Sequence, residues 1–546
     1  MAYRWLNDLS QQFLERDYLL EGQTVDERVD VICNTAERIL KKSGFAAKFK
    51  KIIQNGWCSL SSPIWTNFGT ERGFGISCFG SHIDDSMQSI VYTWSEVSMM
   101  TKHGGGTSAY FGNLRPRGSK IKNNGSSSGS VHFMQAFENL INIVSQGATR
   151  RGNFAAYLPI DHADIEEFLK IRTEGFPIQS LSYGVCVPDY WMEEMIAGDM
   201  AKRRIWAKVL ESRTNLGFPY IFFTDNANKG APDCYKGRYP ITHSNLCCEI
   251  MEPDNESESF VCDLLSLNIL YFDEWKNTDA IECVVYFLDA VMSEFIEKAK
   301  KIGFMERAVR FAENHRALGI GWLGWHSYLQ SKMIAFESME AKLLNTKIAK
   351  TIKEQAYAAS AKMAEEYGEP EVCKGFGRRN ATLMAIAPTK SSAFILGQVS
   401  ETIQPDLANI CIKDLQKGKY TIKNKYLEAL LEEKGKNTEE NWQDILKHGG
   451  SVQHVSYLNE HEKDVFKTFA EISQREIILQ AAQRQKYIDQ GQSLNIMIHP
   501  SVPAKDLNTL MIEGWRLGIK SFYYQISVNA AQSFSRNILA CRSCEG

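Results

Sequence analysis

The 546-residue sequence has no run of 18 apolar residues, so it offers no membrane-spanning helix. Its start, Met1–Leu20, has no basic stretch leading into an apolar one; charges at Arg4, Asp8, Glu15, Arg16 and Asp17 rule out a secretory signal. An excess of charge of one sign is also missing. Lys and Arg number 62 against 65 Asp and Glu, a net −3, so no global positive field is available for a nucleic-acid backbone. Neither G-x-x-x-x-G-K-[ST] nor a strand-borne G-x-G-x-x-G occurs, which removes the two commonest phosphate cradles. There are 13 cysteines, an odd number in a chain without a signal, which points to reduced cytoplasmic thiols instead of a disulfide scaffold.

What is present reads as a globular α/β chain, with 44% hydrophobic and 23% charged residues. Residues 8–51 carry helical spacing. From Phe68 onward, strand-like runs alternate with amphipathic helices: 75–79, helix 86–102, helix 131–145, strand 154–158, helix 163–172, strand 180–187. The alternation continues through 206–211, 220–223 and 249–251 and favours parallel strands. Residues 341–367 read as a long helix stopped by Gly368 and Pro370, 477–488 as another helix, and 521–528 as a late strand. Residues 413–450 are Lys/Glu-rich and read as a surface excursion.

Several segments could carry chemistry. His243-Ser-Asn-Leu-Cys-Cys-Glu-Ile250 packs Asn245, Cys247, Cys248 and Glu249 into five positions. In a loop, Cys247 and Glu249 can converge on one small ligand; in a strand they are packing residues. Cys78 and Cys262 each stand in strand-like surroundings, where a lone thiol is usually packing. Cys541-Arg-Ser-Cys544 lies in a polar tail. It is half a zinc site or a redox dithiol, and without a second C-x-x-C or a spaced His pair the dithiol is favoured. Arg150 and Arg151 in Ser145–Asn153 suit a nucleotide-facing loop.

Taken in order, Trp5-Leu-Asn-Asp-Leu-Ser-Gln-Gln-Phe-Leu14, Ser77-Cys78, the loop 145–152, Ser244-Asn-Leu-Cys-Cys-Glu249, Val261-Cys262 with Leu267-Asn268, Ala387-Pro-Thr-Lys-Ser-Ser392, Tyr523-Tyr524-Gln525 and the terminal C-x-x-C resemble the catalytic large (α) subunit of class I ribonucleotide reductase. The resemblance covers nearly the whole chain. It implies a ten-stranded α/β barrel of two five-stranded halves with a central finger loop. The expected organisation is a short helical region (1–67), the barrel with its specificity loops (68–530) and a flexible redox tail (531–546).

The resemblance also implies roles. Cys247 would be the transient thiyl radical, Glu249 the base for the 3′-hydroxyl, Asn245 a substrate-orienting group, and Cys78 and Cys262 the source of reducing equivalents. Cys541 and Cys544 would regenerate that pair and pass electrons from a thioredoxin- or glutaredoxin-like protein. Tyr523 and Tyr524 would relay the radical from a metal-containing small (β) subunit, which needs adjacent rings and hence a local departure from strand geometry. Ser77 and Pro388, Thr389, Lys390, Ser391 and Ser392 would bind the ribonucleoside diphosphate. Asp85, Arg115, Arg117 and Arg150 would meet dNTP or ATP effectors at a homodimer face. No cofactor would be covalently bound and no metal held by this chain. Two positions depart from the family pattern: Lys390, where an acid is common, and Asp263, where Thr or Asn is. Because Trp5–Leu20 already matches the region after the ATP-cone of many relatives, dATP is expected to act on specificity alone.

Three alternatives carry different expectations. An adenosylcobalamin-dependent (class II) reductase needs no tyrosine relay. A glycyl-radical enzyme needs a C-terminal radical loop not seen here. A non-catalytic nucleotide-binding regulator has no use for five ordered cysteines with Glu249 and Asn245.

Overall fold

The computed structural model describes residues 3–146, 150–415 and 418–527; Cys541 and Cys544 lie outside them. The chain opens with α1 (Asp8–Asp17), α2 (Val25–Leu40) and α3 (Phe45–Gln54). Asn7 caps α1 by accepting from the Ser10 N–H, and Thr24 with Glu27 forms a capping box on α2. The stretch 8–51, expected to be helical, is three helices. Their apolar faces join the main core (Val29, Ile32, Phe49, Ile53), and the strand Cys58–Leu60 pairs antiparallel with the barrel.

Five parallel strands follow in spatial order: β1 (Cys78–His82), β2 (Gly106–Tyr110), β3 (Phe154–Pro159), β4 (Ser182–Val187) and β5 (Tyr220–Phe223). Parallel neighbours require crossovers; these include α4 (Met87–Lys102), α5 (Ser130–Ile143) and α6 (Met200–Leu216). Strands such as β4 are buried along their whole length, as expected where one face lines the barrel and the other meets helices.

The second half runs through β6 (Phe260–Asn268), α7 (Ala280–Ala299), β7 (Leu318–Leu323), α8 (Met339–Tyr367), residues 383–386, the short helix α9 (Lys390–Ile395), residues 490–497 with β8 (Ile496–Met497), α10 (Ala504–Arg516), β9 (Ser521–Phe522) and β10 (Gln525–Ile526). β6 is parallel to β7, β7 bridges to Met384, Ile386 bridges to Gln492, and β8 is parallel to β10. Antiparallel junctions join the halves: β1 with β6, and β5 with β9. The two five-membered halves thus form the expected barrel, with its last members held by bridges and two-residue ladders.

Four segments differ from expectation. The expected helix 163–172 is only Ile165–Phe168; Arg172 adopts φ +67 and its guanidinium binds the carbonyls of Ser180 and Leu181, which turns the chain. Residues 206–211 lie inside α6, and 249–251 form no strand. Residues 413–450 are more than a surface excursion. With their neighbours they gather Ile410, Leu427, Leu431, Trp442, Ile445 and Phe466 into a second, separate apolar core.

Candidate active site: three thiols and a carboxylate inside the barrel

β1 and β6 are antiparallel, and in their register Cys78 stands directly opposite Cys262. Directly opposed residues in such a pair have Cα atoms about 4.5–5.5 Å apart and side chains on one face, within the 4.4–6.8 Å that a disulfide spans. Both thiols are buried. Each accepts from a side-chain amide: Asn245 Nδ2 donates to Cys78 Sγ at 3.5 Å, and Gln490 Nε2, which also donates to the Leu318 carbonyl at 3.0 Å, lies 3.5 Å from Cys262 Sγ. Burial pushes the Cys262 thiol well above its ordinary value. The Ser77 hydroxyl lies 3.7 Å from Cys78 Sγ.

Residues 245–249 form the loop facing this pair. The Asn245 carbonyl accepts from Cys248 N–H at 3.3 Å, closing a turn with Leu246 and Cys247 at its apex. Cys248 takes φ +67, which turns the chain inward again. Asn245 is fully buried, and its Oδ1 accepts from the Glu249 and Ile250 N–H groups, both at 3.0 Å. One side chain therefore holds the turn and touches Cys78. The Tyr157 hydroxyl fixes the outer side by donating to the Asn245 carbonyl at 2.7 Å.

The loop is also stitched to the second half-barrel. Gly491 N–H donates to the Glu249 carbonyl at 2.8 Å. A Cβ at Gly491 would lie 2.4 Å from the Met251 methyl and 3.1 Å from the Glu249 carbonyl, so a larger residue here would have to displace the Met251 side chain. Ser493 Oγ binds both the Cys247 carbonyl (2.7 Å) and Glu249 Oε2 (3.2 Å). Burial raises the Glu249 carboxyl to about 7 against the opposing hydrogen bonds of Asn245 and Ser493. Cys247 is half-buried at the apex; Cys248 is fully buried, with its thiol pushed up to about 12 by burial, and is a packing residue.

Tyr523 and Tyr524 fall in the break between β9 and β10, a local departure from strand geometry, and their ring centroids are 4.1 Å apart. Tyr523 is buried and Tyr524 half-buried. Two partners escaped the sequence reading. Tyr220 on β5 places its ring 4.8 Å from Tyr523 and 5.4 Å from Tyr524, and the fully buried Arg213 donates to the Tyr523 carbonyl at 2.9 Å. Gln490 and Ser493 were missed as well. None of the four stands in a motif, and their neighbours are distant in sequence.

The segment Pro388–Ser392 leaves the barrel just after Ile386, which is bonded to Gly491 and Ser493. It opens α9, with Thr389 at φ +56 and its hydroxyl accepting from Thr402 N–H at 2.7 Å. Ser391 and Ser392 are buried, whereas Lys390 is exposed. Asp263 alternates to the face opposite Cys262, and burial holds its carboxyl well above the usual range.

Of the residues expected to meet effectors, Asp85 and Arg115 form an ion pair at 2.6 Å. Arg117 binds Glu167 instead. Arg150 belongs to a two-residue strand paired with Ser145–Gln146. Among the described residues, the trio with metal-ligand spacing is Asp444, His448 and His454, carried by the second core and not by the thiol site. No described helix is long and apolar enough to cross a membrane.

The family model for the ribonucleotide reductase barrel domain matches residues 76–202, 196–376 and 369–525. The chain belongs to the ribonucleotide reductase family. It is a large subunit of the class I type, an oxidoreductase. The α subunit of the Actinobacillus ureae class Id ribonucleotide reductase is 55% identical and superposes with a TM-score of 0.92 over 97% of this chain and 99% of that one. The putative ribonucleoside-diphosphate reductase large subunit of Frog virus 3 (isolate Goorha) is 35% identical over 504 residues, 88% of each chain. The ribonucleoside-diphosphate reductase large subunit of Danio rerio is 30% identical, covering 94% of this chain and 74% of its own length.

Proposed function

We propose that this reductase converts ribonucleoside diphosphates to 2′-deoxyribonucleotides by radical chemistry, started through a small subunit. The observation that carries the reading is the register pairing of Cys78 with Cys262 against the loop of Asn245, Cys247 and Glu249. Cys247, as a thiyl radical, takes the 3′-hydrogen; S–H and ribose C–H bonds are comparable in strength, so the hydrogen can be returned. Glu249 accepts the 3′-hydroxyl proton, and a carboxyl raised to about 7 suits a group that takes and gives a proton near neutrality. The 2′-hydroxyl leaves as water with a proton from one thiol. The two thiols supply two electrons and the hydrogen added at C2′, and end as a disulfide. Cys247 then returns its hydrogen to C3′. Asn245 orients the substrate, and Ser77 with Pro388–Ser392 holds its diphosphate.

A half-buried Tyr524 beside a buried Tyr523 supports an inward relay. A cavity of about 820 Å³ between α6 and α10 adjoins the pair, since Thr214 on its wall binds Gln525 Nε2 at 3.1 Å. This wall supports docking of the small subunit, whose metal site supplies the radical. Exposed Met87, Val91 and Trp94, spaced along one face of α4 beside Asp85, support a homodimer with dNTP or ATP effectors at its face. Cys541 and Cys544 would re-reduce the oxidised pair with electrons from a thioredoxin- or glutaredoxin-like protein of the cytoplasm. The cobalamin-dependent reading is disfavoured by the adjacent tyrosine rings and by the class Id relative.

Reduction of CDP with a class I small subunit, with and without ATP or dATP, tests the proposal. It expects dCDP only with both subunits present, and a Cys247→Ser chain that binds nucleotide without turning over. Activity with cobalamin and no second protein, or full activity of Cys247→Ser, would overturn it.

A further inference from the structure

The fold brings a second pair of thiols together outside the barrel chemistry. Cys234 lies in the turn after Asp233, and Cys373 ends the one-turn helix Glu371–Cys373. Both are buried, their thiols lie close enough to influence each other's titration, and Cys234 Sγ donates to the Ala381 carbonyl at 3.7 Å. Arg378 Nη2 stands 3.1 Å from Cys234 Sγ and pairs with Asp233 through the same nitrogen. The Asp233 side chain is 63% exposed, so the pair sits directly beneath the surface. The two thiols are not equivalent. The nearby Cys373 thiol, aided by the Arg378 charge, draws the Cys234 thiol below its ordinary value. Cys373 is pushed above its own by that same proximity and by burial. A thiol beside a guanidinium, with a second thiol close by, is the arrangement of an attacking and a resolving cysteine.

We propose that Cys234 and Cys373 form a second redox dithiol, oxidised by hydroperoxides and independent of the Cys78–Cys262 pair. The Cys234 thiolate attacks the peroxide O–O bond; with one proton, Cys234 sulfenic acid and water (or an alcohol) result. The Cys373 sulfur then attacks the sulfenic sulfur, and the thiol proton leaves with the hydroxide as a second water. The disulfide has lost two electrons, and the peroxide bond has gained them. Its formation takes the thiolate from Arg378 and ties the 233–235 turn to the segment that leads through Ala381 into the barrel strand 383–386.

The test uses the full chain, reduced, freed of reductant and treated with hydrogen peroxide, then quenched, unfolded, alkylated and digested for mass spectrometry. A disulfide-linked Cys234–Cys373 peptide is expected, while Cys58 and Cys186, whose thiols burial pushes upward, remain alkylated. In Cys373→Ser, Cys234 should stop at a sulfenic acid trapped by dimedone. In Arg378→Gln, disulfide formation should slow about tenfold, the effect of one unit of thiol pKa. If Arg378→Gln unfolds, Cys373→Ser carries the test. Oxidation of Cys234 no faster than that of Cys58 and Cys186, or its pairing with any cysteine other than Cys373, would overturn the proposal.

Discussion

Cys78 and Cys262 stand face to face across two antiparallel strands that join the halves of the barrel. Neither sulfur has to move far to bond the other, because strand register already holds their Cα atoms at disulfide distance. Replacing either with serine should abolish steady-state reduction while leaving substrate affinity within about twofold, since serine keeps the volume and polarity of the site. Initial-rate and equilibrium-binding measurements on Cys78→Ser and Cys262→Ser check this; turnover persisting in either would remove the pair from the chemistry.

Glu249 makes the pH behaviour specific. Its carboxyl, buried and raised to about 7 from an ordinary 4.5, must be ionised to accept a proton. The rate should therefore rise with pH through about 7, and Glu249→Gln should lose both the rate and that limb of the profile. Stability carries the opposite sign. The folded state binds this proton more tightly than the unfolded one, so stability present below pH 4.5 is lost as pH rises to about 7, roughly 3 kcal/mol at most. Melting curves from pH 5 to 8 should slope less for Glu249→Gln than for the parent chain.

In the proposed relay, the tyrosine pair lets radical delivery be tested apart from binding. Tyr523→Phe and Tyr524→Phe keep the rings and lose the oxidisable hydroxyls. Each should lower reduction by at least about a hundredfold, that is, about 3 kcal/mol or more, with unchanged CDP affinity and unchanged melting temperature. A variant with wild-type turnover would place the relay elsewhere, and Tyr220 is then the ring to test.

Asn245 closes the turn that presents Cys247. Truncation to alanine strips partners from two buried N–H groups, those of Glu249 and Ile250. Each orphaned donor costs about 1–3 kcal/mol. Asn245→Ala should unfold at lower denaturant concentration by that order, and its residual folded fraction should turn over more slowly than Asn245→Asp, which retains the acceptor oxygen.

Much of the site was legible because its chemistry sits in short, ordered motifs: Asn245 to Glu249 within five residues, Tyr523 beside Tyr524. The pairing of Cys78 with Cys262 was expected from the family resemblance alone, since it depends on which strands meet antiparallel, and periodicity carries no such information. Tyr220 and Gln490 were invisible for the same reason: a buried aromatic in a strand and a glutamine after a helix gain meaning only from non-local neighbours. The second core was hidden by composition. Leu427, Leu431, Trp442 and Ile445 repeat at helical spacing, but the Lys and Glu between them read as solvated surface.

A single-turnover experiment tests the pairing most directly. The Cys541→Ser/Cys544→Ser chain, supplied with a small subunit and CDP but no external reductant, should yield one dCDP per competent site, and each product should be matched by one Cys78–Cys262 disulfide in the digested protein. Product formed while both cysteines remain free thiols would contradict it.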